Sequence, residues 1–204
     1  MRISLLRHGK TMQDGIYRGH TDVALTAHGL GQMQQAYADF SLPVDYLVSS
    51  QLQRCAKFSE LIAPQEQLDE RFQEMSFGDW DGKSRAEVWQ AQPEAVSAFW
   101  SNPMESSAPN GETVLQLQTR AMMALHEHVK CAITQNCEHM LIVTHGGVIR
   151  AILGAVLHMG PKGLFNLNVP YGSVVRLHVA CFEGDDAKPD YQLSLDFAAQ
   201  QDFV

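Results

Sequence analysis

Two short apolar runs, far apart in the chain, each end on a histidine followed by glycine, and this pairing constrains the fold more than any other feature. The first is Ile3-Ser4-Leu5-Leu6, which leads into Arg7-His8-Gly9. The second is Met140-Leu141-Ile142-Val143-Thr144, which leads into His145-Gly146-Gly147. A brief apolar run closed by glycine reads as a buried strand. Two strands that each deliver an imidazole at the carboxyl end point to one crevice at the rim of a parallel sheet, where open α/β folds place their ligands.

The segments between them alternate between helix and strand. Thr26 stands as an N-cap before Leu30, Met33, Tyr37 and Phe40 at helical spacing, and Pro43 is expected to close that helix. Asp45-Tyr46-Leu47-Val48-Ser49 reads as a strand, followed by a helix that turns Leu52, Cys55, Ala56, Ser59 and Ile62 inward. Asn110 is placed to cap a helix with the stripe Val114, Leu117, Ala121, Leu125 and Val129. Val148-Ile149-Arg150-Ala151-Ile152-Leu153 is an almost wholly apolar helix, and residues 173–180 and 191–197 alternate like later strands. This rhythm predicts a three-layer α/β/α sandwich around a mainly parallel sheet. The stretch from about Gly78 to Gly111 differs, with Trp80, Trp89 and Trp100 and breaks at Pro93, Pro103 and Pro109. It predicts short helices that form a small helical cap. Residues 1–204 are therefore expected as one domain with a cap insertion at about 78–111.

Composition narrows the partners. With 45% hydrophobic residues among 204, the chain can bury a core without metal or disulfide staples. A formal net charge of -8 argues against nucleic acid and against anionic membranes as partners. A small phosphorylated metabolite stays compatible with it, because a local arginine cluster outweighs the mean charge at short range. Cys55, Cys131, Cys137 and Cys181 form no C-x-x-C pair, and no N-terminal apolar segment resembles a secretion signal, so a cytoplasmic protein is expected. A homodimer stays open.

Among nine histidines, any one taken alone is a structural residue first. His8 stands out by its company: Arg7 beside it, Gly9 to allow close backbone approach, and Thr11 as a hydroxyl donor in the following loop. A guanidinium repels a metal cation, but its planar fork suits the oxygens of an anionic ester. Arg54, one turn beyond Ser49-Ser50, is either an ordinary exposed helix residue or a second such fork, because neighbouring parallel strands end side by side. An acid is also needed to protonate a leaving oxygen. Glu74, among Met75, Phe77 and Trp80, is the candidate, and partial desolvation there would favour its protonated form. Glu70, Asp79 and Asp81 are rivals that spacing does not eliminate. The scattered His126, His128, Cys131, Cys137 and His139 do not match zinc-ligand spacing. His20 and His28 read as loop and helix-entry residues, and Glu112 as a first-turn carboxylate.

Four blocks occur in order: Leu6-Arg7-His8-Gly9-Lys10-Thr11, Ser49-Ser50-Gln51-Leu52-Gln53-Arg54-Cys55, Glu74-Met75-Ser76-Phe77-Gly78-Asp79-Trp80-Asp81-Gly82 and Val143-Thr144-His145-Gly146-Gly147. Together they resemble the histidine phosphatase superfamily, in its phosphoglycerate mutase-like branch. The resemblance implies a phosphoric monoester hydrolase that needs no metal or cofactor. It implies that His8 becomes phosphohistidine, that Arg7, Arg54 and His145 hold phosphoryl oxygens, and that Glu74 serves as acid and then base. Thr11, Asp14, Gly19 and Gly146 are the expected contributors to substrate binding. Asp14 stands where the family often carries Asn, and Lys10 where Glu or Gln is common, which changes the charge at the mouth of the site.

Within the superfamily the chain is most similar to α-ribazole phosphatases of cobalamin biosynthesis, through Tyr17-Arg18-Gly19-His20, Leu25-Thr26-Ala27-His28-Gly29 and Pro109-Asn110-Gly111-Glu112. The rivals are a sugar or broad-specificity metabolite phosphatase, a phosphoglycerate mutase, and an inactive phospho-ligand-binding module. The short cap and Phe77-Gly78-Asp79-Trp80 speak against the mutase. The joint presence of Arg7, His8, Arg54, Glu74 and His145 speaks against the inactive module.

Overall fold

The computed structural model describes residues 1–63, 67–183 and 189–197. Strands β1 (Arg2–Arg7), β2 (Tyr46–Ser49), β3 (Gln67–Leu68) and β4 (His139–Thr144) run parallel. Strand β5 (Val174–Glu183) runs against β1, and β6 (Pro189–Leu195) against β5. The six form one sheet in the order β3-β2-β4-β1-β5-β6.

Alternation along the central strands divides the core between the two faces of the sheet. Ile3, Leu5, Val48, Met140 and Ile142 pack with apolar residues of α5 (Val114–Thr134) and α6 (Gly146–Val156). Leu6, Leu47, Leu141 and Val143 turn the other way, toward Met33 of α1 (Ala27–Ala38) and Cys55 and Phe58 of α2 (Gln53–Ile62). This is the expected three-layer α/β/α arrangement, and the period of two along each strand produces it. No described helix is long and apolar enough to cross a membrane.

Register sets the position of the site. Arg7 pairs with Thr144 across β1 and β4, so His8 and His145 leave adjacent strands at the same level. The His8 backbone N–H donates to the Thr144 carbonyl at 2.9 Å, and Ser50 N–H donates to Val143 at 2.9 Å. The ends of β1, β4 and β2 are thus bonded into one rim.

Residues 78–111 contribute a 3-10 turn (Gly78–Trp80) and two short helices, α3 (Arg85–Ala91) and α4 (Pro93–Ser101). Trp80 is fully buried there, with Tyr17 and Phe99 against its ring and its indole N–H donating to Gln92 at 2.8 Å. Gly78 has φ +47°, and a Cβ on it would lie 2.1 Å from the Pro109 carbonyl oxygen, so glycine is required where these two loops meet.

Several local expectations are corrected. Helix α1 ends at Ala38 with Asp39 as its C-cap, four residues before Pro43 becomes relevant. Asn110 does not cap α5: it adopts a left-handed conformation and its amide donates to Asp79. Thr113 is the N-cap, in a reciprocal capping box with Gln116. The buried side of α2 includes Phe58, which the sequence reading omitted, and β3 and the one-turn α7 (Pro161–Leu164) were too short to leave a periodic signal.

Candidate active site

His8 is the first residue after β1 and is 3% exposed. Its Nδ1 lies 2.8 Å from the Gly9 carbonyl oxygen. A carbonyl only accepts, so Nδ1 carries the proton and Nε2 keeps its lone pair. Burial, and then the Arg54 charge, push the His8 pKa well below the ordinary 6.5; the Gly9 bond opposes them, and Arg7 and Arg18 add smaller downward pushes. The imidazole is therefore neutral near pH 7, as a nucleophile must be.

His145 is fully buried, with its ring centroid 5.2 Å from that of His8. Arg54 Nε donates to its Nδ1 at 3.2 Å. Its Nε2 is 2.8 Å from Ser50 Oγ, so Nε2–H is the donor there. Burial, followed by Arg54 and His8, holds its pKa well below 6.5. The exposed alternative for Arg54 fails: the side chain is fully buried, with Nη1 and Nη2 donating to the Thr21 and Gly19 carbonyls at 2.9 and 2.7 Å.

Arg7 lies 4.1 Å over the ring of Tyr171 and donates through Nη1 to the Val169 carbonyl. Arg18, whose side chain is 10% exposed, donates to the Tyr171 hydroxyl at 3.1 Å. The Nε of both arginines is buried with no hydrogen-bond partner among the described residues. A buried donor left unpaired costs about 1–3 kcal/mol, so two in one cleft mark where an anion fits. That cleft, about 320 Å³, is lined by Arg7, His8, Arg18, Glu74, Arg150 and Tyr171 among others.

Glu74 reaches this cleft from the loop before the 3-10 turn Gly78–Trp80. One carboxylate oxygen accepts from its neighbour Met75 N–H at 2.9 Å, the other from Gly147 N–H in the first turn of α6 at 3.2 Å. A Cβ at Gly147 would come within 2.1 Å of Glu74 Oε1, so the second glycine of His145-Gly146-Gly147 makes room for the acid. The surroundings differ from the expected aromatic nest: Met75 and Phe77 stand beside Glu74, but Trp80 packs into the main core against Tyr17 and Phe99. Arg120 holds the Glu74 carbonyl at 3.0 Å and is itself fixed by Glu112, at 2.5 and 3.0 Å. Glu112 is thus a clamp for Arg120 rather than a first-turn carboxylate.

Of the rival acids, Glu70 and Asp79 are exposed and outside the cleft. Asp81 accepts from Gly19 N–H at 3.1 Å, His20 N–H at 2.5 Å and Thr21 N–H at 3.1 Å, fixing the loop whose carbonyls hold Arg54. Gly19 and Gly146 are both buried at the site, Gly146 against the Arg7 guanidinium. Thr11 is buried, but its hydroxyl points back to the Gln13 carbonyl at 3.4 Å. Asp14 is the outlier: its side chain is 60% exposed, faces Lys10 and Arg18 at 3.7 Å and does not line the cleft. Sequence reasoning missed Arg18, Ser50, Arg120, Arg150 and Tyr171. Arg150 was reachable, since it lies one helical turn beyond Gly146; Tyr171 sits in no pattern.

Comparisons with known proteins identify the family and the fold. Residues 3–185 match the family model of the histidine phosphatase superfamily (branch 1). Over 185 residues the chain is 31% identical to a protein of Hydrogenobacter thermophilus named as a candidate phosphoserine phosphatase 2, covering 87% of this chain and 89% of that one. It is 28% identical over 180 residues to the adenosylcobalamin/α-ribazole phosphatase of Escherichia coli K12, covering 84% and 87%. The crystal structure of the α-ribazole phosphatase from Shigella flexneri superposes with a TM-score of 0.76 at 26% identity, covering 88% of this chain and 91% of that one.

Proposed function

Because this chain belongs to the histidine phosphatase superfamily (branch 1), we propose that its site hydrolyses phosphomonoesters through a phosphohistidine on His8. His8 Nε2 attacks phosphorus, the N–P bond forms as the ester P–O bond breaks, and protonated Glu74 gives its proton to the leaving alcohol. Glu74 then takes a proton from water, whose oxygen bonds phosphorus as the N–P bond breaks, and inorganic phosphate leaves. Charge spread over the transferring group is met by fixed guanidinium donors. Arg7 offers its unpartnered Nε, and an incoming oxygen competes with His145 Nδ1 for the Arg54 Nε–H.

The observation that carries this reading is the His8 tautomer: Nδ1–H is committed to Gly9, which leaves Nε2 as a lone pair among arginines. His8→Ala is expected to lower turnover at least about 1000-fold, since the covalent step loses its attacking nitrogen. Rapid acid-labile phosphoenzyme trapping checks the same step. Near-normal hydrolysis by the variant overturns the mechanism.

For the ester itself, α-ribazole 5′-phosphate of cobalamin assembly is our reading, supported by the names of the Escherichia coli and Shigella flexneri relatives. Phosphoserine is the second reading, supported by the Hydrogenobacter relative. Residues 78–111 shape the choice through Trp100, which lines the cleft. Four free thiols suit a reducing cytoplasm. Phosphate release from α-ribazole 5′-phosphate, phosphoserine, phosphoglycerates and sugar phosphates is expected to give the highest kcat/KM for the first; another leader replaces the substrate and leaves the chemistry.

A further inference from the structure

We propose that the alcohol side of this site is built for an uncharged aromatic leaving group. An apolar recess of about 220 Å³ opens off the reactive cleft. The two spaces share Glu74, Phe77, Trp100 and Arg150, while His8 lines only the cleft. The carboxyl group that protonates the ester oxygen therefore stands between His8 and the recess. In-line displacement sends the leaving oxygen away from the attacking nitrogen. The carbon substituent on that oxygen is carried into the recess. This inference rests on the hydrolase reading above.

The walls select by chemistry. Met75, Phe99, Leu117 and Leu164 form the floor, each at most 5% exposed. Trp100 and Phe165 meet edge to face at the rim, with ring centroids 5.0 Å apart, yet they remain 47% and 42% exposed. Large aromatic rings left half in water beside a concave apolar floor are the mark of a ligand site. Apart from Glu74 and Arg150, no residue lining the recess is charged. Arg150 Nε already donates to the Leu167 carbonyl at 2.9 Å, and Glu74 is occupied with the proton transfer. An amino-acid alcohol would place an ammonium group there without a spare carboxylate, and burying an unpaired charge is strongly unfavourable. A ring system needs no such partner. An apolar cavity of about 150 Å³ takes one benzene ring, so this larger recess suits one or two fused rings.

The test compares three esters that each release a primary alcohol: 2-naphthylmethyl phosphate, ethyl phosphate and O-phosphoserine. The naphthylmethyl ester is expected to exceed both others at least tenfold in kcat/KM, mainly through KM. Phe165→Ala, at a half-exposed position where folding is not at stake, is expected to narrow the naphthylmethyl-to-ethyl ratio. 2-Naphthylmethanol, which carries no phosphate, is expected to inhibit ethyl phosphate hydrolysis competitively. Equal kcat/KM for the three esters, with no inhibition by the alcohol while His8 still becomes phosphorylated, overturns the recess and spares the hydrolase. Hydrolysis of none of them, with no phosphoenzyme, overturns both.

Discussion

Glu74 is the residue at which the largest number of constraints meet: two backbone N–H groups on its oxygens, a glycine that clears space for it, and an arginine on its carbonyl. As the proposed acid, its worth depends on how badly the leaving group needs a proton. Glu74→Gln is expected to slow alkyl phosphates about 100-fold or more and p-nitrophenyl phosphate far less, because nitrophenolate leaves unaided. Steady-state rates on the two esters check this, and equal losses assign Glu74 another role. At this scale much was legible beforehand. His8, Arg54, Glu74 and His145 each sit in a motif where neighbours limit what the residue can do. Arg18 and Tyr171 did not stand out, because their meaning comes from a contact between residues 153 positions apart.

At the scale of elements, the ends matter more than the middles. Helix α5 starts with the box of Thr113 and Gln116, and just before it lies Glu112, which holds Arg120 and through it the Glu74 backbone. Thr113→Ala is expected to lower stability by about 1 kcal/mol, as loss of an N-cap oxygen generally does. Chemical denaturation midpoints measure it, and Asn110→Gly should have the smaller effect, since its left-handed φ suits glycine. The sequence placed the α5 stripe correctly but its first turn three residues early. Asn and Thr are both good caps, and only the neighbouring chain, through Asp79, decides which of them is free.

For the whole molecule, the buried imidazoles make folding sensitive to acid. Burial first, and then nearby arginines, hold His8 and His145 well below 6.5 in the native state. The unfolded chain binds those protons near pH 6.5 and the native chain does not. Stability that is complete above pH 6.5 is therefore lost as the pH falls below it. Asp69 adds a second loss: burial alone would raise its pKa, but Arg71 and His128 bonds pull it to about 2, so its contribution fades between 3.8 and that value. Thermal melts from pH 8 to pH 3 are expected to show Tm falling in both windows, and a flat Tm from pH 7 to 5 contradicts the first. The parallel centre of the sheet was visible in sequence because its strands are apolar runs between helices. The direction of β5 and β6 was not, since alternation within a strand is the same read either way.

The pairing of Arg7 with Thr144 has a consequence for how the chain acquires activity. His8, the proposed nucleophile, and His145 come from distant segments of the polymer, and only adjacency of the two innermost ribbons joins them. Neither segment alone holds even a weak version of the proposed reactive centre. Turnover during refolding should thus emerge in step with amide protection of that ribbon pair, without an earlier partially competent species. The enzyme in effect certifies its own topology before it touches a phosphate.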